Sequence, residues 1–255
     1  MSQHVLVELV DRVLRVQLAR PEKKNALTVD MYAALETAVA RAEAEAEVRA
    51  VLLHGGPDCF TSGNDVKDFL ERAAGAESPA FRFLDRIATA RKPIVAAVAG
   101  PAVGIGTTML LHCDLVYAAA GARFQLPFVA LGLVPEAGSS LLLPAAVGYP
   151  RAAELLLLGE PFGAEKALAA GLVTAVVGEA ELLETARAAA AKLAALPPAS
   201  VRLTKELMRR GHAQALAAQM KEEGRLFLER LASPEAHEAM TAFFEKRKPD
   251  FSRFS

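Results

Sequence analysis

The chain has 255 residues, 53% of them hydrophobic, with 29 basic and 30 acidic side chains and a formal net charge of −1. That length and apolar content can bury a large core, and the balanced charge offers neither a basic face for a phosphate backbone nor an acidic tail, so nucleic acid is not an expected partner. Two cysteines, Cys59 and Cys113, without a CxxC spacing, encode neither a disulfide framework nor a thiolate zinc site, which suits a reducing cytoplasm.

The amino terminus lacks the basic region, apolar stretch and small-residue cleavage site of a signal peptide, and no uninterrupted apolar run reaches the roughly 18 residues of a membrane span. A soluble protein is expected. Val5, Val7 and Leu9, then Val13, Leu14, Val16 and Leu18, alternate around Asp11 and Arg12, a pattern that predicts a hairpin. Thr28 reads as a helix N-cap, and Met31, Leu35, Ala38, Val39 and Ala42 follow at helical spacing up to an AEAEAE stretch. The segments VRAVLLHGG, KPIVAAVAGPAVG and CDLVYAAAG are buried strands running into breakers. Strands alternating with helices imply an α/β core of parallel strands, whose ligand sites lie on loops at strand ends. From about Glu179 onward the pattern is helical, including an alanine-rich stretch whose Leu182, Leu183, Ala186, Ala190 and Leu193 keep one stripe, and the LPPAS break places a boundary near residue 196. No repeat period of about 20–50 residues is evident.

Two loops could carry chemistry. In HGGPDCFTSGNDVKDFL a strand ends in glycines and a helix is expected from about Asp65; Ser62, Gly63 and Asn64 form a turn in which the amide of Asn64 can point into a cleft, although the same tripeptide suits an ordinary loop and cap. In AAVAGPAVGIGTTMLLHCD, Gly104 and Gly106 permit close backbone approach, and the helix start favours negative charge at the Ile105 amide. A dinucleotide fingerprint is rejected because Met109 stands where its third glycine would be. Two amides converging on one carbonyl oxygen would stabilise an enolate, provided a base lies beside the α-carbon. Glu136, the only acid between Asp114 and Glu154, is the candidate; a solvated glutamate at a helix start is the equal alternative. His54 and His112 read as structural, and no HExxH or other metal-ligand spacing predicts a metal.

These residues also carry a family pattern. RPEKKNALT, FTSGNDVKDF, GPAVGIG and EKALAAGLV, in this order, resemble motifs of the crotonase, or enoyl-CoA hydratase/isomerase, superfamily. The resemblance implies an α/β fold, a spiral of ββα units over residues 1–196, with a helical trimerisation domain over 197–255 that forms a homotrimer or a dimer of trimers. It implies an acyl-CoA thioester as substrate, with no separate cofactor. Its oxyanion amides fall on Asn64 and Ile105, and its coenzyme A and substrate positions on Lys24, Ala26, Ser62, Gly63, Asp65, Val66, Lys67, Gly104 and Phe128, with Lys246 in the late EKRKPDF segment. Lys67 and Lys246 read equally well as surface charges.

The hydratases of this superfamily place two glutamates around a water. Here Thr108 and Phe128 occupy those positions, while Glu136 matches the catalytic glutamate of peroxisomal-type Δ3,Δ2-enoyl-CoA isomerases. An apolar Phe128 would exclude water and raise the proton affinity of the base. The expected activity is therefore a double-bond shift from 3-enoyl-CoA to 2-trans-enoyl-CoA; another crotonase reaction (hydration, dienoyl-CoA or ring-epoxide isomerisation) or a noncatalytic acyl-CoA-binding protein are the alternatives.

Overall fold

The computed structural model describes residues 2–68 and 78–254. Its larger sheet has six strands: β1 (Val5–Val10), β2 (Val13–Leu18), β3 (Ala50–His54), β4 (Ile94–Val98), β6 (Leu115–Ala119) and β9 (Ala175–Val177), in that spatial order. Only β1 runs antiparallel to its neighbour; every other pairing in this sheet is parallel. The expected hairpin joins Val10 to Val13 through Asp11 and Arg12, both at positive φ (49° and 66°), the turn geometry whose twist matches that of its strands.

β3 and β4 are buried on both faces, so successive side chains belong to two different cores. Val51, Leu53, Ile94, Ala96 and Val98 join the core beneath helix α1 (Val29–Ala44) and helix α2 (Pro79–Ala88). Ala50, Leu52, Val95 and Ala97 face helix α7 (Leu182–Ala195), where Ala186, Ala190 and Ala194 are buried. The alanine-rich stretch is thus a packing surface: small side chains let the helix lie close on a sheet face that is itself rich in alanine. Thr28 caps α1, its hydroxyl accepting from the Met31 amide at 3.2 Å.

A second sheet, absent from the expectations above, is made of β5 (Pro101–Val103), β7 (Arg123–Gln125) and β8 (Phe162–Gly163). With strands of only two or three residues it has no periodicity to read, and tertiary pairing alone defines it. Between β5 and β7 lie the one-turn helix α3 (Ile105–Thr108) and β6. Then follow α4 (Ser139–Val147), α5 (Tyr149–Ala153), β8, α6 (Ala164–Ala169), β9 and α7. The chain ends in α8 (Pro198–Arg210), α9 (Ala213–Leu231) and α10 (Pro234–Phe244). The helix expected from about Asp65 lies largely outside the described residues, as does the whole of the stretch FLERAAGAE. Among the described residues no helix is long and apolar enough to cross a membrane.

Candidate active site

The segment Thr61–Asp65 is held on both sides by backbone bonds. Thr61 donates to Pro101 O (3.0 Å), Ser62 to Lys24 O (2.9 Å) and Asp65 to Leu27 O (2.9 Å), while the Gly63 carbonyl accepts from Leu27 at 2.8 Å. Among the described residues the Asn64 amide alone in this run has no acceptor, and the same holds for the Ile105 amide at the start of α3. Both residues line one cavity of about 780 Å³. The two loops are locked together at Gly106, where an added Cβ would lie 2.6 Å from the Thr61 methyl group, so α3 can seat against the first loop only without a side chain there.

Glu136 reaches the same cavity from the loop before α4. Its main chain is fixed by Ser139, whose amide and hydroxyl both donate to Glu136 O (3.1 and 2.6 Å). The next carbonyl, of Ala137, accepts from His112 Nε2 at 2.8 Å. His112 is buried and its proton affinity is lowered, to a pKa of about 4, chiefly by that burial; it is a neutral donor holding the loop. His54 similarly bonds the Gly55 carbonyl.

Glu136 is 7% exposed. Burial raises its pKa to about 8; a hydrogen bond from the Thr108 hydroxyl (2.5 Å) opposes that rise, and the charge of Glu223 adds to it. α3 thus carries an amide without an acceptor at its first residue and the hydrogen-bond partner of Glu136 at its last.

The remaining lining is mostly apolar, including Phe81, Leu84, Phe128, Leu131, Leu133 and Phe227. Of the expected substrate positions, Ala26, Ser62, Gly63, Asp65, Val66, Lys67, Gly104 and Phe128 line the cavity together with Asn64, Ile105 and Glu136. Lys24 and Lys246 do not; Lys23 takes part where Lys24 was expected, because Lys24 adopts a left-handed conformation (φ 49°) and offers its carbonyl to Ser62. Lys246, also at positive φ (56°), follows α10, whose Phe243 and Phe244 reach the cavity instead.

Three contributors escaped the sequence. Tyr32 lies within the buried stripe of α1, yet its hydroxyl donates to Asn64 Oδ1 at the cavity wall. Thr108 was legible only as a missing acid. Glu223 comes from α9, distant in sequence, and nothing in the KEEGR context marks it.

A cavity with two unpaired amides and one buried acid of raised proton affinity is built to stabilise a carbonyl-derived anion and to exchange a proton beside it. The sequence profile of the enoyl-CoA hydratase/isomerase family matches residues 8–253. The chain belongs to that family, the crotonase superfamily, and shares its fold. A solved enoyl-CoA hydratase/isomerase from Pseudoalteromonas atlantica T6c superposes with a TM-score of 0.94 at 47% identity, covering 98% of this chain and 100% of that one. A probable enoyl-CoA hydratase of Mycobacterium leprae is 34% identical over 97% of both chains. The rat enoyl-CoA delta isomerase 2 is 37% identical over 97% of this chain and 65% of its own length.

Proposed function

We propose that the protein is a Δ3,Δ2-enoyl-CoA isomerase with Glu136 as its only proton-transferring group. The observation that carries this is the acid inventory of the cavity. Among the described lining residues the carboxyls are Glu136 and Asp65, and Asp65 is paired with Arg20 at 2.8 Å. A hydratase must orient water between two acid–base groups, whereas a 1,3-proton shift needs one base that takes and returns a proton. Glu136 in its ionised form removes the C2 proton of a 3-enoyl-CoA. The dienolate oxygen is held by the Asn64 and Ile105 amides, and the proton returns at C4, leaving the 2-trans isomer. An amide donor of this kind contributes about 3 kcal/mol to the transition state. The apolar wall supports the reading by keeping bulk water from the dienolate. Lys23 and Lys67 offer positive charge for the phosphates of coenzyme A. Assembly into a homotrimer or a dimer of trimers through the C-terminal helices belongs to the same proposal.

The test is kinetic. Glu136→Gln should lower kcat for 3-enoyl-CoA isomerisation by about 10²-fold or more and leave binding of a saturated acyl-CoA within about threefold of the parent. Isomerisation by the variant at the parent rate overturns the assignment. A parent that hydrates 2-enoyl-CoA without shifting 3-enoyl-CoA is a hydratase. A parent that binds acyl-CoA yet exchanges no deuterium at C2 is a noncatalytic binder.

A further inference from the structure

α9 belongs to the C-terminal helical region, remote in sequence from every loop of the cavity, yet it packs directly on the turn that carries Glu136. Gly138 sits in that turn at φ 69°, and an added Cβ would lie 2.2 Å from Leu216 Cδ1 of α9, so the turn and the helix meet backbone to side chain with no space between. At this contact Glu223 is 4% exposed, and its carboxylate takes three hydrogen bonds: from the Gly138 amide at 2.5 Å, from the Ser140 amide at 2.9 Å, and from the Ser140 hydroxyl. Gln219, one turn earlier on α9, donates to the same hydroxyl at 2.7 Å.

All three contacts to Glu223 are donated to it, the pattern that favours an ionised carboxylate at the start of α4; burial raises the proton affinity of Glu223 itself, and these bonds oppose that rise. Capping a helix needs only an acceptor at its first amides; here the acceptor is a buried anion whose field reaches the base. Glu223 is among the causes that raise the Glu136 pKa, after burial. The other groups facing Glu136 are Thr108 of α3, which is uncharged; Tyr32 of α1, whose burial keeps its phenol protonated; and, through the Ala137 carbonyl, the neutral His112. Among the described residues, Glu223 is therefore the charged neighbour that acts on Glu136.

We propose that Glu223 is a positioning residue for Glu136: it fixes the turn that aims the Glu136 carboxyl into the cavity and sets a second carboxylate behind it. The catalytic meaning rests on the isomerase reading above, but the electrostatic claim does not, and the experiment separates them. The Glu136 carboxyl is titrated by 13C NMR in glutamate-labelled parent, Glu223→Gln and Glu223→Asp proteins, and the pH profile of kcat/KM is measured on the same three. In Glu223→Gln, the titration near pH 8 and the acid limb of the profile should both move down by about half a unit or more, with kcat reduced about tenfold and KM little changed. Glu223→Asp keeps the charge but shortens its reach, so its titration stays at the parent value while kcat falls. An unmoved Glu136 titration in Glu223→Gln overturns the proposal. Should that variant not fold, a parent-like kcat in Glu223→Asp overturns it instead. A parent that does not isomerise, but whose titration shifts in Glu223→Gln, refutes the isomerase reading and leaves the role of Glu223 standing.

Discussion

At the residue scale the site depends on how tightly one carboxyl holds its proton. Burial in an apolar wall raises the affinity of Glu136, and the Thr108 hydroxyl tempers it by donating to the charged form. From the sequence, Thr108 is only the place where a hydratase would carry an acid; in the fold its hydroxyl donates to the Glu136 carboxyl. Thr108→Val removes the hydroxyl at nearly constant volume, so the Glu136 pKa should rise above its present value of about 8. In the proposed mechanism the ionised form does the chemistry, so the acid limb of kcat/KM should move up and the rate at pH 7 should drop by about 3–10-fold, with the two proteins converging above about pH 10. A pH profile that superposes on the parent's would show that the hydroxyl does not tune the base.

At the element scale the loops are positioned by short segments that carry little signal of their own. Thr61–Asp65 has no regular secondary structure beyond isolated bridges, to Ala102 and Leu27, and its shape is imposed by the strands and turns on either side. Its glycines and polar residues announced a turn; the direction of the Asn64 amide required its neighbours. The C-terminal helices are tied in by similar long-range contacts. Lys205 of α8 is 4% exposed, and its ammonium reaches Asp114, at the start of β6, at 2.7 Å and the Lys92 carbonyl at 2.8 Å. Asp114 also accepts from the Ile94 amide at 2.7 Å, so one carboxylate aligns β4, β6 and α8. Removing one member of such a buried pair leaves the other without its counter-charge. Lys205→Met should destabilise the protein by about 3 kcal/mol, with residual support for Asp114 from Arg209, as measured by urea unfolding. A loss under about 1 kcal/mol would mean that α8 is held by its apolar contacts alone.

At the scale of the whole molecule, the same feature that equips the site costs stability. Glu136 ionises near its ordinary value of 4.5 in the unfolded chain and near 8 in the folded one. Between those values the native state binds the extra proton, so this group's contribution to stability falls as pH rises. Glu136→Gln abolishes that linkage. The stability gap between variant and parent should therefore widen in favour of the variant by about 2–4 kcal/mol from pH 4.5 to 8, read from urea unfolding at several pH values. Parallel stability curves for the two proteins would contradict the raised proton affinity.

What the sequence by itself determined is what local pattern can encode. The hairpin at Val5–Leu18, the capped helix at Thr28, the buried strands at Ala50, Ile94 and Leu115, and the two glycine-bearing loops all follow from alternation, helical period and turn chemistry. The family motifs sit on those same loops, which is why so much of the cavity lining could be named in advance. The tertiary structure decided whatever depends on long-range approach. It paired the very short strands of the second sheet, put Lys23 at the cavity in place of Lys24, brought Tyr32 to Asn64, and set Glu223 of the last helical region against the turn of Glu136. A lone glutamate in a loop gains a raised proton affinity only when distant segments remove its water, and no local pattern records which segments those are.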